Sequence, residues 1–346
     1  MSVRTVSTRV DVYRNGAQLL TLYAVDNPEI DMEREAVIRT SLYGSFRPDS
    51  RVDWLTDELR PVLTINGTDH PYGIYLPTTV KHRRNADLGP VVEVDAYDRG
   101  WLVQSRRTES ILHLDAGTYY LAAVRSLLQD AGISLILETP SAATLASARE
   151  DWPVGTGYLT IINQLLAEIN YERLWFDSSG CAVLEPARVP DADSIRHTLD
   201  AAQIDSLILP DFAAEQDVFD APNVFVCLCS NPDLGAALTA TAINDNAQSP
   251  LSTVRRGRRI AQVVKVDNTP SQAALDAYAA RLRNDSLLVS EVVQVRTALL
   301  PGYAVGDTVA LVHPEAQGLY IEDSCRIRFA PGGDMTHGLR RVVLSV

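Results

Sequence analysis

Polar and apolar residues alternate with a period of two through much of residues 3–108. That pattern commits the segment to β-structure with one buried face, because successive side chains of a strand point to opposite sides. Val10, Val12 and Tyr13 lead into Asn15-Gly16, and Val62 to Ile65 lead into Asn66-Gly67. Asn-Gly suits the two-residue type I′ hairpin, whose central residues both need positive φ. The first return strand is expected over Gln18 to Val25, and the second turn should join a segment running through Tyr72, Ile74 and Tyr75. Val91, Val92, Val94 and Ala96 form a further strand ending near Tyr97-Asp98-Arg99-Gly100. Residues 1–108 therefore read as an antiparallel β-domain, a barrel or a sandwich.

The period changes near residue 109, where an internal repeat appears. Gly117-Thr118-Tyr119-Tyr120-Leu121 is matched 38 residues later by Gly155-Thr156-Gly157-Tyr158-Leu159, Val124 by Ile162, and Leu127-Leu128 by Leu165-Leu166. Leu121, Val124 and Leu128 share one helical face, as do Leu159, Ile162, Leu166 and Ile169, so two amphipathic helices are expected. Ile133 to Leu137 follows the first as a strand; Leu174 to Phe176, Asp177-Ser178-Ser179-Gly180 and Ala182 to Leu184 follow the second as a hairpin. Residues 109–205 read as a small α/β domain of two related units.

From 206 to 346 strands return, over Val224 to Cys229, Leu238 to Ala242, Ile260 to Val266, Val289 to Arg296, Thr308 to Val312, Cys325 to Phe329 and Arg341 to Leu344. One helix, near 270–284, interrupts them. Thr269 is its expected N-cap, with Pro270 in the first helical position and Gln272 completing a capping box, and Leu275, Tyr278, Ala279 and Leu282 form its buried stripe. The fold class is α+β, mainly β: two antiparallel β-barrel-like domains flanking a small α/β domain.

Composition excludes several functions. At 346 residues the chain has room for two or three domains, and 31 basic against 44 acidic residues give a net charge of −13. That sign is wrong for a duplex-binding protein, whose affinity comes from neutralising phosphates. Only Lys81 and Lys265 are lysines. No N-terminal signal pattern and no long uncharged apolar run occurs. Cys181, Cys227, Cys229 and Cys325 are too few and too irregular for a disulfide framework and read as buried thiols.

Motifs of catalysis are missing as well. There is no Gly-x-Ser-x-Gly elbow, no His-Glu-x-x-His and no Walker loop, and Gly155-Thr156-Gly157 lacks the third glycine of a dinucleotide fingerprint. His70, His82, His113, His197, His313 and His337 show no ligand spacing along the chain, so no metal or cofactor is expected, although a site could still assemble in three dimensions. Cys227-Leu228-Cys229 puts both thiols on one strand face, which favours core packing over zinc. Asp211, Glu215, Asp217 and Asp220 are the best candidates for a glycosidase acid and base or for a calcium site, set against a solvated connection between domains. The basic run Arg255, Arg256, Arg258 and Arg259 lacks interleaved aromatic residues and is better suited to a subunit interface than to nucleic acid.

Two stretches resemble phage and prophage tail-hub proteins. The first runs from Asp151-Trp152-Pro153-Val154-Gly155-Thr156 through Ile161-Ile162-Asn163-Gln164-Leu165-Leu166 and Ile169-Asn170-Tyr171 to Leu174-Trp175-Phe176-Asp177 and Leu184-Glu185-Pro186. The second comprises Pro222-Asn223-Val224-Phe225-Val226, Ala242-Ile243-Asn244-Asp245-Asn246, Ser249-Pro250-Leu251-Ser252-Thr253 and Gly257-Arg258-Arg259-Ile260, with the helix at Ser271 to Leu282 and Val305-Gly306-Asp307-Thr308-Val309 in the same order. The resemblance covers 109–346 by pattern and 1–108 by architecture. It implies a homotrimer in which each chain supplies two β-barrel domains to a ring of six, similar to the base of type VI secretion spikes. The implied partners are the tail tube or distal tail protein, the tip, spike or receptor-binding proteins, and DNA passing through the lumen unbound. The implied location is the virion tail. Some members carry a lytic domain after the hub region; Val346 leaves no length for one here, which points away from an enzyme. A tail-associated cell-wall hydrolase and a carbohydrate- or receptor-binding β-protein are the alternatives.

Overall fold

The computed structural model describes residues 4–342, apart from 27, 88, 188–189, 216–220, 230–236, 267–268 and 289–290. Its first part contains β1 (Val6–Arg14), β2 (Ala17–Leu22), β3 (Glu29–Glu33), β4 (Thr40–Phe46), β5 (Glu58–Ile65), β6 (Thr68–Pro71), β7 (Tyr75–Asn85) and β8 (Gly89–Asp98). The middle holds α1 (Gly100–Ser105), β9 (Leu112–Leu114), α2 (Tyr120–Asp130), β10 (Ile136–Glu138), β11 (Arg149–Trp152), α3 (Tyr158–Glu168), β12 (Trp175–Phe176) and β13 (Ala182–Leu184). The last part comprises β14 (Ile195–Asp200), β15 (Ile208–Glu215), β16 (Val224–Cys229), β17 (Leu238–Ile243), α4 (Thr253–Arg256), β18 (Ala261–Val266), α5 (Gln272–Leu288), β19 (Val292–Ala298), β20 (Thr308–His313), β21 (Ala316–Arg328) and β22 (Asp334–Arg341). The chain is mainly β with few helices, as expected.

Both Asn-Gly pairs make the expected turns, with positive φ at Asn15, Gly16, Asn66 and Gly67. They close β1 on β2 and β5 on the short β6; Tyr75 belongs to the next strand. The main departure lies in how strands are shared. The β-segments before and after the helical region meet in one 14-stranded sheet, ordered β15-β19-β22-β21-β3-β4-β8-β7-β5-β1-β2, and among the described residues this path does not close into a barrel. The seam is β3 against β21, with Met32 opposite Cys325 and Asp31 opposite Arg326. One apolar core follows from it: Ile30, Leu42, Phe46, Tyr75, Val92 and Val94 pack with Val293, Val295, Leu311, Ile327, Met335 and Leu339. At roughly 1.5–3 kcal/mol for each large buried side chain, this shared core outweighs any single polar contact.

Three expectations need correction. β14 lies in the stretch read as part of the α/β segment, yet it pairs in parallel with β20 of the large sheet. The strands β16, β17 and β18 stand apart as a three-stranded sheet, with β16–β18 parallel, that packs on α5 through Cys227, Cys229, Ala240, Leu275 and Ala279. Local alternation names strands but not their neighbours, so it could not separate these from the rest. Finally, α5 starts at Gln272, and Ser271 rather than Thr269 caps it: the Ser271 hydroxyl accepts from the Ala274 amide at 3.2 Å. Thr269 instead donates to the Ser271 carbonyl.

The repeat is deeper than the sequence indicated. The strands preceding the two helices, β9 and β11, pair antiparallel with each other. The helices α2 and α3, 11 residues each, pack into one core through Tyr120, Leu121, Val124, Leu128, Tyr158, Leu159, Ile162 and Leu166. Both helices end the same way: Gly132 and Asn170 turn left-handed at φ +86° and +58°, and the next amides, Ile133 and Tyr171, donate to Leu128 and Leu166 carbonyls at 2.8 and 2.9 Å. This is a Schellman-type stop, which favours glycine and tolerates asparagine. Asn170→Gly should therefore be neutral or slightly stabilising, and Asn170→Ala should cost about 1 kcal/mol, read as a shift of the urea midpoint. Equal losses in both variants would refute the backbone explanation.

Candidate functional site

Alternation along the large sheet leaves one face polar, and ion pairs cross it from strand to strand. Arg296 (β19) bridges Asp211 (β15) and Asp334 (β22), and Asp334 also binds Arg328 (β21). Arg326 (β21) reaches Asp31 (β3) across the seam at 2.7 Å. Lys81 and Arg83 (β7) pair with Asp95 and Glu93 (β8) at 3.6 and 2.9 Å. Each of these five cations thus has a carboxylate partner, and binding a phosphate there would require breaking an existing pair. Pairs whose partners are both exposed contribute little stability individually, typically about 0–1 kcal/mol, whereas Asp334 is buried. Their effect is a surface of matched charge.

A second polar cluster ties the three parts of the chain together. Glu172 follows α3 and sits among Arg34 and Arg39 of the β3–β4 connection and Arg281 of α5, at 3.8, 3.5 and 3.5 Å. Backbone carbonyls complete the junction: Arg281 donates to Tyr171, Arg39 to Arg173, and Arg173 to Glu35. Arg39 is almost wholly buried, and loss of solvent draws its guanidinium down to about 10 despite Glu172. It remains charged at neutral pH and depends on that carboxylate. Glu172→Gln should accordingly destabilise the protein by about 3 kcal/mol, with Glu172→Asp milder; a loss below 0.5 kcal/mol in chemical unfolding would mean the cluster is solvated rather than structural.

Beside this junction lies a cavity of about 180 Å³ bounded by Tyr72, Tyr75, Trp175, Phe176, Tyr303 and Asp98. The Asp98 carboxylate accepts from Thr40 Oγ1 at 2.9 Å and from the Gly100 amide at 2.7 Å. Burial outweighs these donors and pushes its carboxyl up to about 6. An unfolded Asp titrates near ~4, so between about pH 4 and 6 the folded state retains a proton that the unfolded state has lost. Asp98 therefore makes stability fall as pH rises through that window. Relative to the parent, Asp98→Asn should gain about 2 kcal/mol between pH 4 and pH 6, measured by urea unfolding at each pH; a difference constant with pH would overturn this.

The residues singled out from sequence are dispersed. Arg255 and Arg256 end the four-residue α4, with Arg258 and Arg259 just beyond the left-handed Gly257. Arg255, Arg258 and Arg259 are exposed; Arg256 is half-buried and donates to the Ala221 carbonyl at 2.7 Å. Of the acidic group, Asp211 is held by Arg296 and Glu215 ends β15 exposed, while Asp217 and Asp220 lie outside the described residues. Cys227 and Cys229 are buried in an apolar cluster. His113 is exposed between Glu150 and Asp115, His197 reaches Asp307 and stacks on Tyr303, and His313 stacks on Phe212. His337 is fully buried beside Glu322 and Cys325. Glu172, Asp98 and the Glu322 group carried no sequence signal, because their partners are remote in the chain. Among the described residues no helix is long and apolar enough to cross a membrane.

No protein-family model and no curated relative matches the sequence. Solved structures do match in fold. A tail protein from Neisseria meningitidis MC58 superposes with a TM-score of 0.70 at 14% identity, covering 97% of each chain. The prophage MuSo2 43 kDa tail protein from Shewanella oneidensis gives 0.66 at 10% identity, covering 97% of this chain and 98% of its own. The E. coli c3393 protein, a type VI secretion component described as similar to the T4 tail proteins gp27 and gp5, gives 0.53 at 11% identity, covering 99% of this chain and 78% of its own. The fold is that of phage and prophage tail proteins.

Proposed function

We propose that this chain, which shares its whole fold with those tail proteins, is a structural hub protein of a phage or phage-like tail. The observation carrying the reading is the superposition over 97% of both chains with the Neisseria protein. Three copies form a ring to which each contributes the β-segments 1–108 and 206–346, joined with β14 in one sheet, around the helical part of 109–205. The ring joins the tail tube or distal tail protein above to tip, spike or receptor-binding proteins below. The protein acts by packing, without catalysis, and resides in the virion tail.

The polar sheet face supports a role as channel wall. DNA passing such a wall meets cations already neutralised by carboxylates, and the chain's net charge of −13 denies it the counterion-release gain that makes nucleic acid stick. The exposed arginines at 255, 258 and 259, next to the exposed Val254, fit a contact with an acidic patch of a neighbouring subunit.

Light scattering on the purified protein should find a species of three 37.9 kDa chains. Arg255→Glu, Arg258→Glu and Arg259→Glu together should leave the circular-dichroism spectrum of the folded chain unchanged and abolish that species. A monomer at every concentration, even with the cognate tube protein added, would count against the hub. A trimer indifferent to the triple reversal would remove the arginines from the interface.

A further inference from the structure

We propose that Glu322, Cys325 and His337 form a buried binding site for one divalent transition metal, with zinc the best-suited ion. The three side chains are sealed in the core at 0, 1 and 0% exposure, and their donor atoms all lie within 4.8 Å of one another. His337 Nδ1 is 2.9 and 3.1 Å from the two Glu322 oxygens and 4.0 Å from Cys325 Sγ.

The backbone is shaped for this meeting. Residues three apart in a regular strand face opposite sides, so Glu322 and Cys325 should not both point inward. A β-bulge between Glu322 and Ser324, where β21 pairs with β22, reverses the alternation and turns both into the core. Bulges of this kind re-aim side chains at functional positions. His337 stands directly opposite Cys325 on β22, and Gly338 next to it gives room to Ser324, whose Oγ would lie 2.2 Å from a Cβ there and would have to turn away. Glu322 is further anchored through its backbone, donating to the Asp307 carbonyl at 2.9 Å and accepting from the Gly306 amide at 2.7 Å.

The donor set is also chemically coherent. A carboxylate, a thiolate and an imidazole are the mixed ligands that zinc accepts. One carboxylate and one thiolate balance a divalent cation, leaving no net charge in an apolar core where an unbalanced charge would be expensive. His337 Nε2 lies 2.9 Å from Thr297 Oγ1, the kind of outer contact that fixes the ring of a metal-ligating histidine. Bonds of about 2.0–2.3 Å in a tetrahedral site put donors roughly 3.3–3.6 Å apart, so the group closes on an ion with small side-chain movements. Binding requires the Cys325 thiol to give up its proton and His337 Nδ1 to be free of one, so uptake is coupled to proton release. The site lies beside the β3–β21 seam, since Cys325 is also opposite Met32, and an ion there braces β21 and β22 where the two halves of the sheet join.

Because the site is sealed, metal must be supplied while the full chain folds. Protein refolded with zinc and then desalted should carry one zinc per chain by elemental analysis and unfold at a higher temperature than protein refolded with EDTA. Refolding with cobalt should give the near-ultraviolet sulfur-to-cobalt band. Cys325→Ser should lose that band and Cys227→Ser, a buried thiol elsewhere, should keep it. Glu322→Gln, which retains a partner for His337, should weaken metal uptake at least tenfold. The wild-type measurement stands even if a variant does not fold. Failure of the wild type to take up either metal, or a cobalt band that survives Cys325→Ser, would overturn the site.

Discussion

The pairing of β3 with β21 is the constraint on which the rest of the molecule depends. It brings together residues as far apart as Asp31 and Arg326, 295 positions along the chain, and makes one sheet and one core of segments that either side of the helical region would otherwise fold around separate cores. Every residue between those strands must be accommodated in the excursion that separates them. The loop closure this requires grows only slowly in cost with length, at about 0.6 kcal/mol per doubling, so the shared apolar core can support it. The polar face inherits its arrangement from the same seam: Arg326 and Asp31 are neighbours only because the registers of β3 and β21 make them so.

The helical excursion is secured by Glu172. It stands two residues beyond the left-handed Asn170 that stops α3, so the geometry of the helix stop decides where the carboxylate projects. From there it meets arginines of the first and last parts of the chain. A carboxylate that serves three guanidinium groups couples the folding of the three parts, since removing it leaves a buried cation without compensation. The internal repeat thus has a mechanical consequence: it places one capped helix end at the point where all three parts converge. The Asp98 cavity opens beside that convergence, and the burial that creates it is what raises the carboxyl's proton affinity.

The proposed hub role draws on surfaces of this kind more than on any cluster of reactive groups. The hub reading rests on a whole-chain fold shared with tail proteins at 10–14% identity, a level at which architecture persists after side chains have diverged. Besides the fold, the chain offers its matched charge ladder, the exposed Arg255, Arg258 and Arg259, and the Glu322, Cys325 and His337 group.

The sequence by itself determined what is local. Positive φ at Asn15-Gly16 and Asn66-Gly67, the two helices 38 residues apart, the buried stripe of α5 and the burial of Cys227 and Cys229 all follow from preferences that act over a few residues. Local patterning failed where the outcome depended on distant company. Thr269 carries the capping pattern, yet Ser271 caps α5, and β16 looks like any half-buried strand until a partner is assigned. The bulge at Glu322 shows the limit most clearly: alternation places Glu322 and Cys325 on opposite faces, and only pairing with β22 brings both to His337. Which strands meet, and which buried groups meet with them, was decided by the tertiary structure, because side-chain periodicity fixes the face a residue occupies and carries no information about the segment, hundreds of residues away, that covers it.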